Sequence, residues 1–415
     1  MEQFTDAHYF HLPSQGNVFT LTDLNLANGS KKLLVASLKR EIFCFEYTES
    51  SSGYLKPTIK EVSFTYIPSG AEIISIDAFN KSTYKNEFVI GITIIKNSNE
   101  TDQLETFLNI YSEWEENDDF NIENIAQNCL NVSLGFIPYK LLHTYLITWK
   151  DNEIISKEFV FVLPGSDHQV HVYKENSADH EYKEIDRDLF PEFVKTPSPV
   201  IYVDIWYTED FRERITTFSC ECGYVKLTRI CTITNKLIYN FSTKFNDFIS
   251  CVSIYSDQNN LNKFSKVNNE MESSKTDEKP VLNLLVTNTI LPAVIFRNVL
   301  KYGLSDYLTL PRHDRTSILT SCEIADINFD GQKEILIGSS SQEILLYKYI
   351  ENKGWKLDEL RKFASPILGV KYVDITGDGV KELIVFSMKG IHILQHNLPF
   401  VQKALEHKIY GLSLS

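Results

Sequence analysis

The sequence predicts an all-β chain folded as a seven-bladed β-propeller. Seven hairpin-like segments recur along its 415 residues. They follow one another at roughly 50 to 70 residues, the spacing of blades around an axis and not of independent domains. Helical periodicity is scarce, whereas aromatic and β-branched residues abound, with 26 Phe and 21 Tyr.

Each hairpin opens on a nearly all-apolar run that ends at small residues, as in a strand buried on both faces. A polar turn follows, then a run that alternates or ends in an aromatic, as in a half-buried strand. The first joins 33–36 to 42–47 and the second joins 87–93 to 107–111. The third spans 159–162 and 170–173, the fourth 217–220 and 224–227, and the fifth 282–286 and 293–296. The last two join 334–338 to 343–349 and 382–386 to 391–394.

Between hairpins lie further strand candidates, such as 73–77 and 200–205, and the chain available there is about what a four-stranded blade needs. Residues 17–21 are expected to close the ring, because pairing the two chain ends removes two exposed sheet edges. The propeller is therefore placed at 10–397, with a tail or short helix over 398–415. Residues 257–279 are almost wholly polar and read as a surface insertion; 48–53, 97–103, 113–119 and 175–181 are smaller versions.

Charge weighs against some classes of partner. Forty-one basic residues stand against 55 acidic ones, a net of -14. That disfavours nucleic acid, whose binding rests on neutralising phosphates, and anionic lipid for the same reason. The first residues, Met1 to His8, lack the basic start and apolar stretch of a secretion signal, and no run suits membrane insertion. A cytoplasmic protein is the expectation. The seven cysteines are odd in number and scattered, so they read as reduced thiols, several in strand cores. Cys220-Glu221-Cys222 lacks a second pair at zinc-ligand spacing. His168 and His171 flank a hairpin turn and read as surface residues instead of zinc ligands. Phosphate-cradling glycine loops and nucleophile elbows are missing, which points away from an enzyme.

One motif carries chemistry. Asp326, Asn328, Asp330, Gln332 and Glu334 precede the sixth hairpin, and Asp374, Thr376, Asp378, Val380 and Glu382 precede the seventh. Oxygens at alternate positions, a Gly after the third, a carbonyl at Gln332 or Val380, and a closing Glu suit calcium. The same side chains also suit turns that cap their own amides without metal, and that reading is preferred. No cofactor is expected beyond this candidate calcium pair.

These two loops resemble the FG-GAP repeats of integrin α-subunit propellers. A resemblance to the kaptin family covers about 10–397. It rests on Phe64 to Pro68 with Ala71 to Ser82, on 107–111, 125–131 and 171–176, on Leu189-Phe190-Pro191-Glu192, and on 390–396. The resemblance implies a non-catalytic scaffold subunit of the KICSTOR complex. Its partners would be the other subunits, including a second FG-GAP-type propeller and a large scaffold subunit. It would help hold the GATOR regulator at the lysosome, where it is peripherally recruited, and so restrain TOR kinase signalling in response to amino acids and glucose. The alternative it implies is binding to filamentous actin in lamellipodia and stereocilia, at actin-rich cell edges. Family members are also expected to carry a longer, basic C-terminal helix than the segment after residue 397 supplies.

Overall fold

A computed structural model describes residues 1–49, 55–97, 104–112, 121–176, 178–256, 280–311 and 317–413. The 257–279 segment lies outside these, as do most of 48–53, 97–103 and 113–119. The described strands form seven four-stranded sheets, and their ladders are antiparallel. The sheets are blades of a seven-bladed propeller.

The innermost strands are β2 (Leu21–Asn25), β6 (Glu72–Asn80), β10 (Leu142–Lys150), β14 (Val200–Tyr207), β18 (Ile249–Ser256), β22 (Leu319–Ala325) and β26 (Ile367–Val373). All seven contribute residues to one central cavity. The expected hairpins are the second and third strands of the blades. In β3 (Lys31–Ala36), Leu33, Leu34, Val35 and Ala36 are wholly buried. The second strands of blades five to seven are buried along their whole length: β19 (Leu282–Asn288), β23 (Glu334–Ser339) and β27 (Glu382–Ser387). A blade's second strand has a neighbouring blade on each face, which is why its sequence is continuously apolar instead of alternating. Burying each Val, Leu or Ile there stabilises the fold by roughly 1.5–3 kcal/mol. Outer strands such as β17 (Lys236–Lys244) are largely exposed and mostly polar or mixed. Gly91 marks one close approach between blades, since a Cβ there would lie 2.7 Å from Leu141 and 2.8 Å from Phe161.

The ring closes differently from the expectation. Its closing strand is β1 (Phe4–His11), which pairs with β28 (Gly390–His396) as the outermost strand of the seventh blade. Residues 17–20 instead form a turn leading into β2. Asn17 donates to the carbonyls of Ile73 and Ile74 at 3.3 and 3.0 Å, so this turn ties the first blade to the second. An edge strand buries one face at most, so β1 carries weak apolar alternation, and 17–21 showed the stronger pattern. A helix, Leu398–Ser413, follows the last strand; Asn397 caps it by accepting from the amide of Phe400 at 2.9 Å. Among the described residues, no helix is long and apolar enough to cross a membrane.

His171 also departs from the expectation. It is buried, stacked on Phe136 at 3.9 Å between ring centres, and sits between Glu184 at 2.9 Å and Asp167 at 3.1 Å. The flanking aromatic and carboxylates, distant in sequence or across the turn, draw it inward.

Candidate functional site

The two Asp-rich loops share a set of four equivalent hydrogen bonds. Asp326 accepts from the Gly331 amide and Asp374 from the Gly379 amide, each at 2.9 Å. Asp330 accepts from the Gln332 amide and Asp378 from the Val380 amide, each at 2.8 Å. The closing glutamates reach back to the start of the loop. Glu334 accepts from the Ile327 amide at 3.0 Å and Glu382 from the Ile375 amide at 2.9 Å. Asn328 donates to Glu334 at 2.6 Å, and Thr376 to Glu382 at 3.0 Å. Gly331 and Gly379 hold φ of 88° and 87°, a left-handed turn that favours glycine. The side chains singled out from sequence are thus brought together in each loop, while Gln332 and Val380 take part through their amides.

Register makes the loops differ. Glu334 stands opposite Lys348 in the sixth blade, because Ile335 pairs with Tyr347. Glu382 stands opposite Gln395, because Leu383 pairs with Leu394. The Lys348 ammonium lies 3.2 Å from Asp330 and 3.8 Å from Glu334, so the first loop carries its own cation. Among the described residues, no lysine ion-pairs with the second loop. There, Asp374, Asp378 and Glu382 bring ligand oxygens within 4.8 Å of one another, an arrangement that fits a hard cation. Burial pushes both Glu334 and Glu382 up to about 7.

A second polar cluster lies on the axis, where sequence reading placed nothing. In five innermost strands the ladder skips one residue: Ile74, Ile201, Ser250, Thr320 and Leu368. Three residues beyond each skip stand Asp77, Asp204, Ser253, Glu323 and Lys371, which line the central cavity. Asp23 and His143 join them in three blade-to-blade contacts. Asp77 meets His143 at 2.7 Å, Lys371 pairs with Asp23, and Asp204 accepts from the Ile254 amide at 2.6 Å. Burial works against the Asp23 carboxylate, yet the Lys371 ammonium beside it brings it down to about 2. Burial likewise opposes the His143 cation, and Asp77 more than compensates, raising its pKa. Glu323 forms no ion pair among the described residues, and burial pushes it up to about 7 against the pull of Lys371. On one side the cluster opens into a cleft of about 910 Å³ walled by Phe79 and Phe159. The signal was present as a polar residue inside each apolar innermost strand, but its meaning depends on seven strands meeting at one axis.

This geometry defines a class: a closed propeller whose axis carries ion pairs and whose last two blades join their first and second strands through self-capped acidic turns. Structural likeness agrees with the architecture. The Dos1 propeller matches at a TM-score of 0.50 with 8% identity, covering 95% of this chain and 96% of that one. Raptor from Chaetomium thermophilum matches at 0.52 with 9% identity, over 95% of this chain and 29% of that one. Sequence is more specific. The family model for KICSTOR complex protein kaptin matches residues 4–406. The mouse KICSTOR complex protein kaptin is 35% identical over 390 residues, covering 93% of this chain and 86% of the mouse protein. The chain belongs to the kaptin family, and its role is KICSTOR-related.

Proposed function

We infer that this chain is a non-catalytic scaffold subunit of a KICSTOR assembly. In that role it helps hold the GATOR regulator at the lysosomal surface, and so restrains TOR kinase signalling when amino acids and glucose fall. The observation that carries this reading is the family match across all seven blades, from 4 to 406. The architecture supports it physically. The interblade cores make a rigid disc, and the blade edges offer surface for docking. The edge strand β17 leaves Leu237, Ile238 and Phe241 at 41%, 48% and 40% exposure, beside backbone groups free to pair with a partner. The natural partners are the other subunits, among them a second propeller and a large scaffold chain, with recruitment from the cytoplasm to the lysosomal membrane through them.

Affinity purification of the tagged full chain from nutrient-starved cells is the direct test. Recovery of the other KICSTOR subunits is the expected result, and a pull-down lacking all of them would sink the reading. Co-sedimentation with actin filaments at physiological salt is expected to leave the chain in the supernatant, because a net charge of -14 repels an acidic filament.

A further inference from the structure

Cys251 and Cys322 are far apart in sequence but adjacent at the boundary between the fifth and sixth blades. Cys251 stands one residue beyond the ladder skip of β18, and Cys322 two residues beyond that of β22. Successive side chains on a strand point to opposite faces, so the first faces forward to the sixth blade and the second faces back to the fifth. Their sulfurs lie 3.1 Å apart, with the Cys322 thiol donating to Cys251. Both are half-buried and line the central cavity of about 320 Å³, which small solutes can enter. We propose that Cys251 and Cys322 form an inter-blade disulfide on exposure to a hydroperoxide, a modification site built into the propeller axis.

With the Cys322 thiol donating, Cys251 is the better placed of the two sulfurs to bear negative charge. The hydrogen bond from Cys322 lowers the Cys251 pKa, and Lys140 in the same cavity adds to the effect. Cys322 is shifted the opposite way by the same bond. The Cys251 thiolate attacks one peroxide oxygen and breaks the O–O bond. That gives a sulfenic acid and a hydroxide, which takes up the thiol's proton as water. The Cys322 sulfur then attacks the sulfenic sulfur, the S–O bond breaks, and a second water leaves. Two thiols lose two protons and two electrons, and hydrogen peroxide is reduced to two waters, or an organic hydroperoxide to its alcohol and one water. The sulfurs have about 1 Å left to close, and the two strands that carry them already pack side by side. Among the described residues no sulfur–sulfur hydrogen bond joins the other five thiols: Cys44 and Cys220 are sealed in the core, Cys129 and Cys231 are half-buried, and Cys222 is exposed on a turn. This site is independent of the proposed complex.

The test is peptide mapping of the native full chain after brief treatment with dilute hydrogen peroxide, followed by alkylation without reductant. The expected product is a Cys251–Cys322 linked peptide pair lighter by about 2 Da, reversed by dithiothreitol. Both residues should lose alkylation together and several-fold faster than Cys222. Continued alkylation of Cys251 and Cys322 while Cys222 oxidises would overturn the proposal, as would linkage of either to another cysteine. In Cys322→Ser the link cannot form, and Cys251 should be trapped by dimedone as its sulfenic acid. Failure to trap it there would overturn the assignment of Cys251 as the attacking sulfur.

Discussion

The loops at 326–334 and 374–382 share four hydrogen bonds, from the amides of their sixth and seventh residues and to the closing glutamate, yet differ in the rest and in their surroundings. At the fourth position one has Phe329 at a φ of 62° and the other Gly377 at 78°. Phe329 holds that strained conformation because its ring packs on His396 at 4.8 Å and on Phe400 of the C-terminal helix at 5.7 Å. Across the hairpin, one loop faces Lys348 and the other Gln395. The first loop is a docking point for the helix with an internal counter-ion. The second is a bare acidic turn. One motif in two blades thus becomes two electrostatic environments, and the cause lies in residues outside the motif.

The largest effect should come from removing what the loops share. Glu334→Ala and Glu382→Ala each leave a buried amide, Ile327 or Ile375, without its acceptor. Each is expected to destabilise the chain by roughly 2–3 kcal/mol in urea unfolding at pH 5, where carboxylate charge adds little. Similar losses would confirm a common anchor. A much smaller loss in one loop would break the comparison there.

Exchanging what differs should have an intermediate effect that depends on pH. Both glutamates are raised by burial from 4.5 to about 7. Below pH 4.5 folded and unfolded states are both protonated, and burial costs nothing. As pH climbs toward 7, the unfolded chain releases its proton first, so stability falls through that window. Lys348→Gln should steepen the fall and Gln395→Lys should flatten it, each by about 0.5–1 kcal/mol at pH 7.5. Unfolding curves at pH 5 and 7.5 measure this; unchanged slopes in both variants would reject the counter-ion account.

The smallest expected effect is that of calcium. The loop oxygens already accept backbone amides, so millimolar calcium should leave the melting temperature within about 1 °C. A larger rise that Asp378→Asn abolishes and Asp330→Asn preserves would place a cation in the second loop, as the lysine difference requires.

The seven hairpins were legible because a strand sandwiched between blades must be apolar at every position, a demand that local sequence records directly. The acidic loops were legible because their turn is a local structure, closed by side chains within nine residues. The closing strand was not, since an outermost strand is specified mainly by backbone pairing with β28 and little by its own alternation. His171 was misread for a related reason, as its burial depends on Phe136 and Glu184.

Composition and patterning by themselves determined an all-β ring of repeated blades, its number of hairpins, and the two places where acidic turns introduce them. Only the closed ring decided which charges face one another. Asp23 meets Lys371 and Cys251 meets Cys322 because curvature brings innermost strands together at the axis. A strand's periodicity says which face a side chain occupies; what lies opposite that face is set by the neighbouring blade.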